Sequence, residues 1–227
     1  MDIHLHFEKT GSGEPLLLLH GNGEDCTYFV HQIEEFSKDF TVWAIDTRGH
    51  GKSPRGTAPF TISQFADDLL DFLDFHGLQK PNILGFSDGG NIALTFALRH
   101  PDRVKRLILN GANLFPEGMH ERLLAAMRRK YASFLQQHTP EAEFNQLLFR
   151  LMLDEPQIAP EELAALTMPT LVIAGEKDMI QDEHTRLIAK SIPGARLSII
   201  PGDHFIANRE SAAFNAEVRS FFKEAST

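Results

Sequence analysis

This sequence predicts an α/β fold with a mostly parallel central sheet flanked by helices. Three observations carry that expectation. Short apolar runs alternate with stretches of helical periodicity, the pattern of repeated strand and helix units. Most of the runs lack polar alternation, which implies a sheet covered on both faces. One long stretch, residues 113–167, has no strand signal and reads as a small helical insertion.

The elements follow in order. Ile3, Leu5 and Phe7 alternate with His4 and His6, as in a half-buried strand. Leu16 to Leu19 form an apolar run between Pro15 and Gly21, and those flanking breakers favour a buried strand. Further runs cover 41–45, 82–84, 107–109, 170–173 and 197–200. Between them, Phe29, Ile33 and Phe36 recur at helical intervals. So do Phe65, Leu69, Phe72 and Leu73, with Gly77 as the stop, and Ile92, Leu94, Thr95 and Leu98, ended by His100-Pro101. Leu187, Ile188 and Ile192 mark another helix, and Phe214, Val218, Phe221 and Phe222 the last.

At about 100–200 residues per domain, 227 residues suit one sizeable core. Residues 1–112 and 168–227 would form it. Within 113–167, Leu123, Leu124, Met127, Tyr131, Phe134 and Leu135 make one apolar face; Phe144, Leu147, Leu148 and Leu151 make a second. These helices either cover the sheet or form a lid. The insertion leaves near the carboxyl ends of the strands, where open α/β sheets bind ligands.

Composition excludes several classes. Hydrophobic residues at 42% and charged residues at 23% exclude a disordered chain. A formal charge of −9 argues against a nucleic-acid partner; Arg128-Arg129-Lys130 reads as the wet side of an insertion helix. Cys26 stands alone, so no internal disulfide can form, and a reducing, cytoplasmic setting is expected. The start of the chain has no signal-peptide pattern, and no apolar run is long enough for a membrane span.

Gly85-Phe86-Ser87-Asp88-Gly89 is a G-x-S-x-G motif between a strand and a helix. Small residues at both ends allow a sharp turn that raises the serine hydroxyl above the sheet. The other reading is a serine that merely caps a helix. A serine nucleophile needs a base. Of eleven histidines, His204 is favoured, because it follows the last strand in Pro201-Gly202-Asp203-His204. His4 and His6 are expected on the wet face of the first strand, an H-x-H pair without obvious further metal ligands. His31, His76, His100, His120, His138 and His184 read as surface residues of helices or their ends. An imidazolium needs an acidic partner. Asp178, just past a strand, is the best candidate. Asp203 is adjacent to His204 and would point elsewhere, Asp182 would cap the next helix, and Glu176 lies nearer the strand end. The backbone amides of Asn22, in His20-Gly21-Asn22-Gly23, and of Asp88 are placed to hold an oxyanion.

Taken together, Leu16 to Gly23, Asp46 to Ser53, Gly85 to Gly90, Gly175 to Asp178 and Gly202 to His204 resemble the α/β-hydrolase superfamily, close to its serine esterase and lactonase branch. The motifs run in family order across most of the chain. The resemblance implies a triad of Ser87, Asp178 and His204 above the sheet and a helical cap, here a short one. It gives Asp46 to Ser53 a structural role near the site. Serine at position 87 excludes the relatives with an aspartate nucleophile, such as haloalkane dehalogenases. The Ser-Asp-Gly-Gly elbow resembles that of valacyclovir hydrolase-like amino-acid ester hydrolases, where the acidic residue helps hold a substrate ammonium. Asp88 would equally suit the first turn of a helix.

The expected activity is cofactor-free, metal-free cleavage of small to medium carboxylic esters through an acyl-enzyme on Ser87. Acyl transfer, perhydrolysis or lactone opening would use the same triad. A non-catalytic ligand-binding protein on the same fold is the alternative of another class. Phe86, Phe115, Met119, Met127, Tyr131, Phe134 and Phe149 are candidates to line the pocket. The partner is a small-molecule ester, and the chain is expected to be a monomer or homodimer.

Overall fold

The computed structural model describes residues 2–224. Seven strands form one sheet: β1 (Phe7–Thr10), β2 (Glu14–Leu19), β3 (Phe40–Ile45), β4 (Asn82–Phe86), β5 (Arg106–Asn110), β6 (Thr170–Lys177) and β7 (Arg196–Asp203). Their spatial order is β1-β3-β2-β4-β5-β6-β7. Only β1 pairs antiparallel, with β3; every other neighbour is parallel. Among the described residues eight α-helices accompany them: α1 (Val30–Phe36), α2 (Ile62–Phe75), α3 (Asp88–Arg99), α4 (Glu121–Phe134), α5 (Pro140–Asp154), α6 (Asp182–Ser191), α7 (Ile206–Arg209) and α8 (Ser211–Glu224).

The leucine run of β2 shows why the sheet is central. Leu17 and Leu19 belong to the apolar core that also holds Phe65, Leu69 and Phe72 of α2, Ile92 and Phe96 of α3, and Ile188 of α6. Leu16 and Leu18 point the other way, into Phe36 of α1 and Phe214, Val218 and Phe221 of α8. All four leucines are buried, each worth about 1.5–3 kcal/mol relative to exposure. A strand apolar on both faces has nowhere else to go.

The ends of the sheet depart from the sequence expectation. The first strand begins at Phe7, not Ile3. His6 is instead pinned by its N–H to Ser53 Oγ (2.8 Å) and by its ring Nδ1 to Asp46 Oδ2 (2.8 Å). It therefore sits against a loop rather than on a wet strand face. The last two strands run on to Lys177 and Asp203, past the apolar runs that marked them. Gly175 permits this: a Cβ there would stand 2.2 Å from the Asp203 carbonyl oxygen. The pairing shifts register between Gly175 and Lys177, and His204 follows directly from strand.

Helices α4 and α5 of the insertion pack on each other. Thr139 caps α5 by accepting the Ala142 N–H (3.1 Å), with Pro140 at the first helical position. The insertion's two ends meet at Leu114, whose carbonyl accepts the Ile158 N–H (2.8 Å). The Leu114 N–H donates to His184 Nε2 (2.9 Å). His184 is thus a buried residue, not a surface one, because it answers this otherwise unpaired amide. No helix among the described residues is long and apolar enough to cross a membrane.

Candidate active site

Parallel register brings the strand ends to one edge. Leu19 pairs with Gly85, Gly85 with Leu109, and Leu109 with Val172. His20, Ser87, Gly111, Asp178 and His204 all follow strand ends there.

Ser87 is the single residue between β4 and α3, at φ 53° and ψ −120°. It is the one non-glycine residue with positive φ among the described residues. Such backbone costs on the order of 1–3 kcal/mol and persists only where the surroundings enforce it. Here the Ser87 N–H donates to the Asn110 oxygen (2.8 Å), and the Ser87 carbonyl accepts the Asn91 N–H (3.0 Å). The flanking glycines are required by contact. A Cβ on Gly85 would lie 2.2 Å from the Gly89 oxygen, and one on Gly89 would lie 2.0 Å from the Leu19 oxygen.

His204 and Asp178 come together: Nδ1 lies 2.6 Å from Oδ1, with both side chains buried. The contact sets the tautomer, Nδ1–H toward the carboxylate and Nε2 free to accept. His204 Nε2 is buried without a hydrogen-bond partner, so the bond to the Ser87 hydroxyl is open in this state. Catalytic hydrogen bonds of this kind often tighten only around substrate. The imidazole rests on Phe86, with ring centroids 4.8 Å apart, and on Gly111, next to the carbonyl that holds Ser87. Asp203, as expected, points elsewhere: it accepts the Phe205 N–H (2.9 Å) and pairs with Arg209. Glu176 is exposed. Asp182 does not cap α6. It is the first helical residue and pairs with Arg186 one turn on (2.7 Å), while Gln181 holds the cap position.

Asn22 lies in the loop after β2 and Asp88 opens α3, its amide in the first turn, where N–H groups lack intrahelical partners. Their side chains also meet. Asn22 Nδ2 donates to Asp88 Oδ2 (2.8 Å) and to the Leu148 carbonyl of α5 (3.2 Å). Asn91, one turn after Asp88, donates to Asp88 Oδ1 (3.5 Å) and to Asn113 Oδ1 (3.0 Å). Asp88 is therefore no exposed first-turn carboxylate. It is buried among neutral amides, and burial pushes its pKa up to about 6. Sequence reasoning missed Asn91, Asn113 and Leu148. The i, i+3 spacing of Asp88 and Asn91 on α3 was the available signal for the first of these.

Of the pocket candidates, Phe86 lies at the site, stacked on Tyr28 at 4.4 Å. Phe115 packs edge-on against His184, and Phe134 against Phe149. Met119 and Met127 join Leu124 and Ile180 in a separate apolar cluster. Tyr131 is half-buried on α4.

Other titratable groups are structural. His20 is buried, donates from Nδ1 to the Gly21 carbonyl (2.8 Å) and accepts the Thr47 N–H at Nε2 (3.0 Å). Burial lowers its pKa and holds that neutral tautomer. Among the described residues, one group could gather metal-ligating atoms: His6, Cys26 and Asp46, within 4.8 Å of one another. The Asp46 oxygens already accept the Cys26 N–H (2.7 Å), the Lys52 N–H (2.8 Å) and His6, so the group reads as a hydrogen-bonded staple.

The chain is similar to several known proteins. Residues 14–157 match the family model for the alpha/beta hydrolase fold. Serine hydrolase BPHL of Mus musculus is 29% identical over 243 residues, covering 97% of this chain and 84% of the relative. A thermophilic esterase from Thermogutta terrifontis superposes with a TM-score of 0.80 at 27% identity, covering 99% of this chain and 95% of the other. The enol-lactonase from Burkholderia xenovorans LB400 also gives 0.80, at 26% identity and 97% coverage of both chains. With its sheet order, its strained serine between strand and helix and these matches over nearly its whole length, the chain belongs to the α/β-hydrolase family, within the serine esterase and lactonase-like branch.

Proposed function

We propose that this hydrolase cleaves carboxylic esters through an acyl-enzyme on Ser87, without a cofactor. The observation that carries the reading is the buried 2.6 Å contact between His204 Nδ1 and Asp178 Oδ1, beside a serine held at positive φ. His204 Nε2 takes the Ser87 proton as Oγ attacks the ester carbonyl. The Asn22 and Asp88 amides stabilise the oxyanion, each donor worth about 2.7–4 kcal/mol in comparable sites. The imidazolium, balanced by Asp178, returns its proton to the departing alcohol. Water then adds to the acyl-enzyme, giving a proton to His204, and Ser87 recovers it as the acid leaves.

The favoured substrates within this class are esters bearing an ammonium near the carbonyl. Asp88 supports that choice: a buried carboxyl beside the nucleophile, bonded to neutral amides, leaves its negative charge for a substrate cation to balance. The test is an activity panel of aliphatic esters, aminoacyl esters and lactones, with fluorophosphonate labelling of the wild type and Ser87→Ala. Stoichiometric label on the wild type, with loss of label and turnover in the variant, supports the triad. Full turnover in Ser87→Ala refutes it. Preference for aminoacyl esters that disappears in Asp88→Asn supports the cation site; preference that survives ends it.

A further inference from the structure

We infer that Glu24 is a positioning residue for the oxyanion loop: its carboxyl clamps the Gly21 N–H so that the Asn22 amide stays turned toward Ser87. The inference rests on the reading of Ser87 as nucleophile.

The clamp is reciprocal. Glu24 Oε2 accepts the Gly21 N–H at 3.1 Å, and the Glu24 N–H donates back to the Gly21 carbonyl at 3.3 Å. The turn Gly21 to Glu24 is thereby closed on both sides, with Asn22 inside it. The same Gly21 carbonyl takes the Nδ1–H of His20, which ties the loop's other flank to Thr47. Position 21 is tightly surrounded. A Cβ there would stand 3.0 Å from Glu24 Oε2 and 3.0 Å from the Phe86 ring. Glu24 thus packs beside the ring that supports His204, one layer behind the reacting groups.

The carboxyl sits in an environment that sharpens its role. It is half-buried, and burial raises its pKa to about 7. The charged and titratable groups facing it are Asp25 on its own turn, Tyr28 in the turn that follows and His204 beyond β7. The Tyr28 hydroxyl is buried without a partner. When ionised, Glu24 grips the Gly21 N–H as a charge-assisted acceptor and favours the His204 imidazolium. When protonated it does both less well. The loop and the base are therefore coupled to one titration near neutrality.

The experiment uses the full chain, Glu24→Gln and Glu24→Ala. It reads kcat and KM for p-nitrophenyl acetate from pH 5 to 9, fluorophosphonate labelling rate and thermal midpoint. Glu24→Gln keeps an oxygen for the Gly21 N–H. It is expected to hold kcat within about threefold at pH 8 and to shift the acid limb of the profile to lower pH, because the variant no longer carries the charge that favours the His204 imidazolium. Glu24→Ala is expected to lower kcat and labelling rate about tenfold or more with KM little changed. A Glu24→Gln profile that superposes on that of the wild type overturns the inference, as does a folded Glu24→Ala with wild-type kcat. If Glu24→Ala does not fold, the Glu24→Gln profile decides alone. A wild type that neither turns over ester nor takes the label overturns the serine-hydrolase reading itself. A wild type that does both, beside indifferent variants, overturns only the clamp.

Discussion

Gly111 lies directly against the His204 imidazole. A Cβ on the glycine would stand 2.7 Å from Cε1 and 2.9 Å from Nδ1, where the bond to Asp178 is made. The glycine also holds φ +61°, which costs a side-chain-bearing residue about 1–2 kcal/mol. Gly111→Ala is expected to displace the imidazole and reduce kcat/KM about tenfold to a hundredfold, with a smaller loss of stability. Ester kinetics and a thermal melt check this. Activity within twofold of wild type would remove Gly111 from the account.

Asn22 joins α3 to α5 through Asp88 and the Leu148 carbonyl. Asn22→Ala is expected to cut kcat about tenfold and to speed hydrogen exchange in α5. Asn22→Asp sets a second carboxylate against Asp88, which ionises near pH 6. The penalty should therefore be larger at pH 8 than at pH 5. An equal loss at both values contradicts the placement.

Arg48 and Asp68 form a buried two-point ion pair, Nε to Oδ2 at 2.7 Å and Nη2 to Oδ1 at 2.6 Å. Arg48 Nη1 also reaches Asp2 Oδ2 (2.7 Å), so removing Asp68 leaves the buried guanidinium one carboxylate and takes the partners from its Nε and Nη2. Asp68→Ala is expected to lose about 1.5–3 kcal/mol in urea unfolding. Replacing both residues by apolar ones should recover much of it. A single variant within about 1 kcal/mol of wild type would be inconsistent with this burial.

His184 stays neutral because burial lowers its pKa to about 4. Its folded pKa thus lies below the free value of 6.5, so the unfolded chain binds the proton first. The stability it contributes is full above pH 6.5 and is lost as pH falls toward 4, a change of order 2–3 kcal/mol. His184→Gln removes the titration, so its stability should fall less steeply between pH 6.5 and 4 than that of the wild type. Chemical denaturation across that range measures the difference; parallel curves would show that His184 is not the group responsible.

The contrast between β2 and the two last strands shows how far the sequence reads. Leu16 to Leu19 announced a two-faced buried strand, and the structure has one. The apolar runs at 170–173 and 197–200 stopped short of β6 and β7, because their continuation depends on backbone approach at Gly175 rather than on apolar side chains. At the site, Ser87, Asp178 and His204 could be singled out because each follows a strand signal and carries its own chemistry. The Asn22 contacts to Asp88 and Leu148, 66 and 126 residues away, leave no local trace.

By itself, then, the sequence determined the α/β class, the alternation of its units and the place of a serine at a sharp turn between strand and helix. These follow from periodicity and turn chemistry, which act over a few neighbouring residues. The tertiary structure alone decided that Asp88 is buried among amides, that His184 is internal, that Glu24 accepts the Gly21 N–H and that Gly111 lies against the imidazole. Those outcomes depend on strand register and on how the insertion packs over the sheet. Both are settled by the whole chain at once.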